Sequence, residues 1–319
     1  MKVVLSHISA LEYWRSTLSD AGLARATCRA KTLPEKAPHA SLAKKYLLSH
    51  TNLFSPPIHV LALDGRRKNS SCLVIHQAKT LPDGSLRTIV LPGCDEPLLI
   101  TSPELTFVHL ASLLSFSRTV HLGYEFCGTY APDKNEFYGM RNRLPLTSFS
   151  KLNCYTNKAK HIRGAQAART ALPHVLDGSA SPRESMLAAL LTLPYARGGS
   201  NIEQPRMNAP LVLGKRNRRD ANQASFRCDL LWPDKKVAVE YDSTLCHTGA
   251  TRIANDATRR NAIESLGFTV ITATWPQVKN YREYTRLVHI LAGHLGTRIR
   301  PTCADYSNKQ LALRSELLP

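Results

Sequence analysis

The feature that constrains this chain most is a pair of apolar runs with β-prone residues, FRCDLLW (226–232) and VAVEYD (237–242), joined only by PDKK. Such runs on either side of a short Pro- and Asp-containing segment predict an antiparallel hairpin. A two-stranded hairpin is marginal in water, so further strands and covering helices must come from the flanking sequence. Each run carries acid among its apolar residues: Asp229 in the first, Glu240 and Asp242 at the end of the second. Alternation along a strand sets Glu240 and Asp242 on one face. The tight turn at Pro233–Lys236 sets Asp229 on the neighbouring strand, so two or three carboxylates are expected to converge.

Converging carboxylates repel one another and are costly to bury unless a positive charge lies between them. A hard divalent cation fits, because Mg²⁺ binds through one or two carboxylates and keeps its other positions for water and phosphate oxygens. Asp229 and Glu240 are the expected metal ligands, for Mg²⁺ or alternatively Mn²⁺. The whole chain carries 42 Lys and Arg against 24 Asp and Glu, a formal charge of +18. That surplus points to a polyanion partner, with a basic surface kept for solubility as the plainer reading. No stretch has the roughly 18–20 apolar residues of a membrane helix, and no amphipathic basic helix suggests membrane binding.

The 319 residues suffice for two domains. LDGSASP (176–182) reads as the boundary, giving an N-terminal domain at 1–175, a second at 176–296 and a polar, peripheral tail at 297–319. In the first half, helices are expected in LEYWRSTL and ASLAKKYLLSH. IHVLAL and CLVIHQAK are expected to form a hairpin, and RTIVL and PLLIT two more strands. Ser102, Pro103 and Glu104 open a helix through ELTFVHLASLLSF. GYEFCGTYA and NEFYGMRNRLPLTS read as irregular, and a helix is expected over Lys158–Arg169. Past the boundary, Ser181, Pro182 and Glu184 open another helix. The order is then three strands (the first in IEQPRMNAPLVL), a helix over about 252–266 ended by Gly267, the strand FTVITATW and a last helix from about Pro276 to Leu295. The opening MKVVLSHISALEYWRS lacks the apolar core of a signal peptide, and the eight cysteines form no Cys-x-x-Cys pair. Reduced thiols and a cytoplasmic location are expected.

The ordered set SPRESMLAALL, FRCDLLWPDKKVAVEYD, a following His, Asp-x-x-Arg and LGFTVI resembles the PD-(D/E)xK nuclease superfamily, in particular its Vsr-like branch, over roughly residues 180–275. The resemblance implies an α/β, restriction-endonuclease-like mixed sheet flanked by helices, and metal-dependent hydrolysis of DNA in bacterial defence or repair. The matching positions are Glu184, Asp229, Glu240, Asp242, His247, Asp256 and Arg259. The Lys of the wider superfamily's Glu-x-Lys motif is absent, and Asp242 stands there, as is normal in the Vsr-like branch. The preceding α+β half resembles AbiEi-type antitoxin regulators, chiefly through its hairpin-rich region and ITSPELTFVHLASLL. That implies binding to DNA or to a toxin or defence-system protein. A non-catalytic DNA-binding regulator, the antitoxin of a two-gene system, is the alternative function.

Each residue also has a plainer role. Asp229 and Glu240 could be solvent-facing strand residues, and Asp242 suits a strand end. Glu184 has the position of a capping-box acid. His247 could be an exposed loop residue rather than a base or phosphate contact. Asp256 and Arg259, three apart, could form a structural ion pair, with phosphate contact as the other role of Arg259. Lys215, Arg216, Arg218 and Arg219 form the densest basic run, either a solvated loop or a DNA-backbone contact. Trp232 and Trp275 suit core packing, with base stacking as the alternative.

Overall fold

A computed structural model of the chain describes residues 3–18, 33–35, 41–42, 45, 49–50, 52–63, 69–93, 97–212, 225–242 and 258–318. The expected helix ASLAKKYLLSH falls largely outside them. Contacts divide the chain into two compact units, Met1–Val175 and Leu176–Pro319. Both mix helices with sheet, and no helix among the described residues is long and apolar enough to cross a membrane.

The first unit is built on a five-stranded sheet. Its strands are β1 (Val4–Leu5), β2 (Ile58–Ala62), β3 (Leu73–Gln77), β4 (Leu86–Ile89) and β5 (Leu98–Thr101), in the order β3-β2-β1-β5-β4. The expected hairpin of β2 and β3 is not formed. They pair in parallel, Ile58 against Leu73 through Ala62 against Gln77. A five-residue strand is only about 17 Å long, so residues 63–72 have ample reach to return the chain to its starting edge. Every residue of β2 is buried, as expected of a strand covered on both faces.

Helix α1 (His7–Arg15) follows β1 directly, and Trp14 anchors it by donating its indole N–H to the Thr101 carbonyl at 3.0 Å. Helix α2 (Pro103–Ala111) opens as its sequence predicts, with the Ser102 hydroxyl accepting from the Leu105 amide at 3.3 Å. It stops at Ala111, and Ser115 caps a separate helix, α3 (Phe116–Cys127), which takes in the GYEFC segment expected to be irregular. Gly123 does not break α3, because its bare Cα lies against Val175; a Cβ there would come within 2.4 Å of that side chain. Strands β6 (Tyr130–Pro132) and β7 (Met140–Asn142) form a small antiparallel pair where no strand was expected. The helix expected over Lys158–Arg169 is instead two, α4 (Phe149–Lys158) and α5 (Ala165–Ala171).

The second unit begins with α6 (Pro182–Thr192), followed by β8 (Arg206–Val212), β9 (Ser225–Trp232) and β10 (Val237–Asp242). Residues 258–264 are helical (α7) and lead to β11 (Thr269–Thr274). The sheet order is β11-β10-β9-β8. The first three strands form an antiparallel meander, while β11 runs parallel to β10. Ile263 of α7 packs on Phe226, Cys228, Leu231 and Ala238 of the sheet. The last helix expected from the sequence is divided at Asn280 into α8 (Trp275–Lys279) and α9 (Tyr281–Leu295). Beyond residue 297, in the segment expected to be a peripheral tail, lies a further helix, α10 (Tyr306–Leu317). It buries Leu313 and Leu317, and Arg314 donates to the carbonyls of Val278 and Lys279 at 2.8 and 2.9 Å. Its polar sequence hides this role because one guanidinium nitrogen of Arg314 is taken up by carbonyls left over at the end of α8.

Candidate carboxylate site

Asp229 lies on β9, an interior strand of the second sheet. The β9–β10 register runs from Val237 against Trp232 to Val239 against Leu230. One further step sets Glu240 opposite Asp229. The Tyr241 amide there donates to the Asp229 carboxylate at 2.7 Å, so a side chain takes up a strand amide where the β9–β10 pairing ends.

The strand is irregular at this point. Cys228 and Leu231 pack in one cluster although they are three residues apart, so side-chain alternation breaks between them. On the other flank, β8 pairs Met207 with Leu230 and Ala209 with Cys228, leaving Asn208 beside Asp229. Asn208 has φ of 46°, a left-handed conformation that Asn tolerates better than most residues. This turns its amide to donate to the Glu184 carboxylate at 2.6 Å.

Glu184 comes from the first turn of α6. Its amide donates to the Ser181 hydroxyl at 3.1 Å, while its carboxylate accepts from that hydroxyl at 2.9 Å and from the Ala180 amide at 3.0 Å. The expected capping role is therefore present, shifted by one residue to the Ala180 amide. Glu240 accepts from Arg259 of α7 at 2.6 Å, and the same guanidinium donates to the Arg227 carbonyl. Arg259 is thus engaged with Glu240 and the β9 backbone, a pairing not foreseen from the sequence.

These placements set the electrostatics. Burial, then the charges of Glu184 and Glu240, push the Asp229 carboxyl from 3.8 up to about 8, against the Tyr241 amide and Arg259. At neutral pH Asp229 therefore holds its proton unless a cation replaces it. Burial and then Glu240 push the neighbouring Cys228 thiol up to about 12, so it is no thiolate nucleophile. Asp242 ends β10 opposite Thr274 and is not among the groups that shift Asp229. Glu184 and Glu240 therefore lie close enough to Asp229 for their charges to act on its carboxyl. Among the described residues, no three or more His, Cys, Asp or Glu side chains stand as a ready metal cage.

Trp232 is buried, with its indole N–H on the Glu203 carbonyl at 2.9 Å, and so serves the core rather than base stacking. Trp275 is half-buried beneath the Arg183 guanidinium, 4.9 Å from the ring centre. His247, Asp256, Lys215, Arg216, Arg218 and Arg219 lie outside the described residues. The sequence reading missed Asn208 altogether. An Asn in a short β-run is only a faint signal, because its left-handed backbone is visible in three dimensions alone.

No protein-family model matches the chain, and no solved structure matches it. It is similar to two proteins of Mycobacterium tuberculosis, "Uncharacterized protein MT2308" of strain CDC 1551 / Oshkosh and "Uncharacterized protein Rv2248" of strain ATCC 25618 / H37Rv. Each is 29% identical over 133 residues, covering 42% of this chain and 44% of the relative. The chain thus spans less than half the length of these curated relatives.

Proposed function

We propose that the second unit is a metal-dependent endonuclease domain of restriction-endonuclease-like fold that hydrolyses phosphodiester bonds in DNA. The observation carrying this reading is the coupled set Glu184, Asp229 and Glu240 on a chain of net charge +18. An acid whose proton is held up to about pH 8 by burial and then by two other acids suits a site where a cation takes the proton's place. The helix, three-strand meander, helix and parallel strand, in the order read from the sequence, are compatible with this reading.

Two carboxylates suit a hard cation such as Mg²⁺ or Mn²⁺: Asp229 and Glu240 would hold it, and Glu184 or Asp242 would complete the shell or orient a water. Such a cation supplies Lewis acidity toward a phosphodiester and activates water. Glu184, fixed by Ser181, Ala180 and Asn208, is held well enough to orient a water molecule. Arg259 neutralises Glu240 and, once released from it, is a phosphate contact from α7. His247 is assigned to proton transfer or to binding the scissile phosphate, and Asp242, as the alternative to Glu184, to completing the metal shell or orienting the water. Lys215, Arg216, Arg218 and Arg219 are assigned to the DNA backbone. The test is cleavage of supercoiled plasmid and short duplexes with Mg²⁺ or Mn²⁺ by the wild type, Asp229→Ala and Glu240→Ala. Loss of cutting in both variants with DNA binding retained is the expected result.

One observation favours a second reading, a non-catalytic DNA-binding regulator or antitoxin. Glu240 is engaged by Arg259, and Glu184 is largely engaged by its cap. A regulator of this kind would show no Asp229-dependent heat on titration with Mg²⁺ or Mn²⁺, whereas the nuclease reading requires it.

A further inference from the structure

The first unit contains a column of four imidazoles that the sequence gives no hint of. His7 opens α1, His59 lies on β2, His76 on β3 and His109 on α2. His7 stacks on His109 at 4.2 Å and on His76 at 3.4 Å, with interplanar angles of 6° and 13°. His76 continues to His59, ring centre to ring centre 5.1 Å, with His59 Nδ1 2.9 Å from His76 Nε2. Burial, then the neighbouring imidazoles and Arg163, hold His76 down at about 4; burial and His76 hold His109 at about 3; His7 and His59 are lowered as well. All four rings are neutral at pH 7.

Neutral imidazoles are good metal ligands, but the stacking argues against one here. Two rings on opposite faces of His7 cannot both bring a nitrogen within about 2.1 Å of an ion bound to His7. The column instead borders a cavity of about 650 Å³. His7, His76 and His109 line it together with Lys79, His161 and Arg163. Ile75 and Leu113 add apolar surface, and no Asp or Glu is among the described residues that line it. Arg163 is exposed, and Gly164 beside it lies tight on α2: a Cβ would fall 2.0 Å from the Val108 carbonyl. That approach fixes the backbone beside Arg163, whose charge acts on His7 and His76.

We propose that this cavity binds a phosphate-bearing small molecule of mononucleotide size, with its oxyanion between Arg163 and the histidine column and its organic part on Ile75 and Leu113. The lining rings of His76, His7 and His109 lie 3.4 and 4.2 Å apart, and His109 Nδ1 has no hydrogen-bond partner among the described residues, which suits the oxygens of one tetrahedral anion, and a cavity of this size suits a small organic ligand. The groups facing the column are Lys79 after β3, and His161 and Arg163 between α4 and α5, all cationic or able to become so. A bound dianion reverses their effect, so an imidazole takes up a proton on binding and affinity rises as pH falls. The inference does not depend on nuclease activity in the second unit.

The test is calorimetric titration of the full chain with adenosine monophosphate and with inorganic phosphate. It is run at pH 6 and pH 8, in two buffers of different ionisation heat. The expected result is one nucleotide site per chain, at least fivefold tighter at pH 6, with net proton uptake. Affinity should fall at least tenfold in Arg163→Glu, an exposed change whose folding circular dichroism checks, and stay unchanged in Asp229→Asn. Phosphate alone should bind more weakly at the same site. No saturable nucleotide binding, binding that survives Arg163→Glu, or binding without proton uptake overturns the proposal.

Discussion

Replacing Asp229 by Asn should stabilise the protein at alkaline pH and leave it little changed at acid pH. The Asn carbonyl oxygen can still accept from the Tyr241 amide, now 2.7 Å from the carboxylate, so the substitution removes charge and keeps the hydrogen bond. Below pH 3.8 both folded and unfolded chains carry the proton. Between 3.8 and about 8 the unfolded chain releases it while the folded chain retains it, so this group's contribution to stability falls as pH rises across that window. Each decade of proton affinity corresponds to about 1.4 kcal/mol, so roughly four decades give a ceiling of about 5–6 kcal/mol. Water reaches this half-buried carboxyl and Arg259 lies in the same cluster, which brings the expected gain to about 2 kcal/mol at pH 8. For a unit of this size that is a rise in Tm of roughly 4–8 °C. Urea or thermal unfolding of wild type and Asp229→Asn at pH 4.5 and pH 8 reads it directly. Equal stability of the two at pH 8, or the same difference at both pH values, would refute a coupled, proton-holding Asp229. Millimolar Mg²⁺ should raise the wild type alone, since the variant lacks the carboxylate that exchanges its proton for the cation.

Metal-dependent cleavage should rise with pH toward a plateau near pH 8, and its midpoint should move down as Mg²⁺ is increased, because metal and proton compete for Asp229; a pH-independent rate would count against that competition. Glu184→Ala should cost about 1–3 kcal/mol in urea unfolding, since it leaves the Asn208 amide and the Ala180 N–H without their acceptor. Glu184→Gln, which keeps an acceptor, should cost less, and equal losses would mean that charge rather than capping matters. In the first unit, Arg15 holds both carboxylate oxygens of Glu125, at 2.8 and 2.7 Å. Arg15→Leu strands a buried acid and should cost about 3–5 kcal/mol at pH 7. Against the cost of burial, Arg15 holds Glu125 below its ordinary 4.5, so that pair's stability is present at neutral pH and disappears as pH falls through the acid range. A wild-type-like denaturation midpoint for Arg15→Leu would remove this pair from the account.

The elements legible in the sequence were those whose signals are local. Ser102 with Pro103 and Ser181 with Pro182 start helices through one or two hydrogen bonds within a turn. FRCDLLW and VAVEYD pair because a short turn leaves them few alternatives. The same local reasoning failed at β2 and β3, where the connection is long enough to permit either direction and the covering of β2 on both faces is a tertiary fact. It failed again at GYEFC, where Gly123 is a packing contact with Val175 rather than a break, and at α10, whose Arg314 donates to carbonyls of α8.

At the candidate site, alternation and a short turn mark Asp229 and Glu240, while Glu184 reads from the residues as a helix cap and is marked for the site only by the family resemblance. Only tertiary structure decided how they are coupled: Arg259 reaches Glu240 from α7, and Asn208, bent into a left-handed conformation, ties Glu184 to β8. The imidazole column shows the same division more sharply. His7, His59, His76 and His109 have no common spacing, because their proximity is set by sheet order and by the entry angles of α1 and α2. A sequence specifies near-neighbour bonding and periodicity, which depend on a few bonds of chain. Electrostatic coupling and burial depend on distances through space, and those exist only once the sheets have closed.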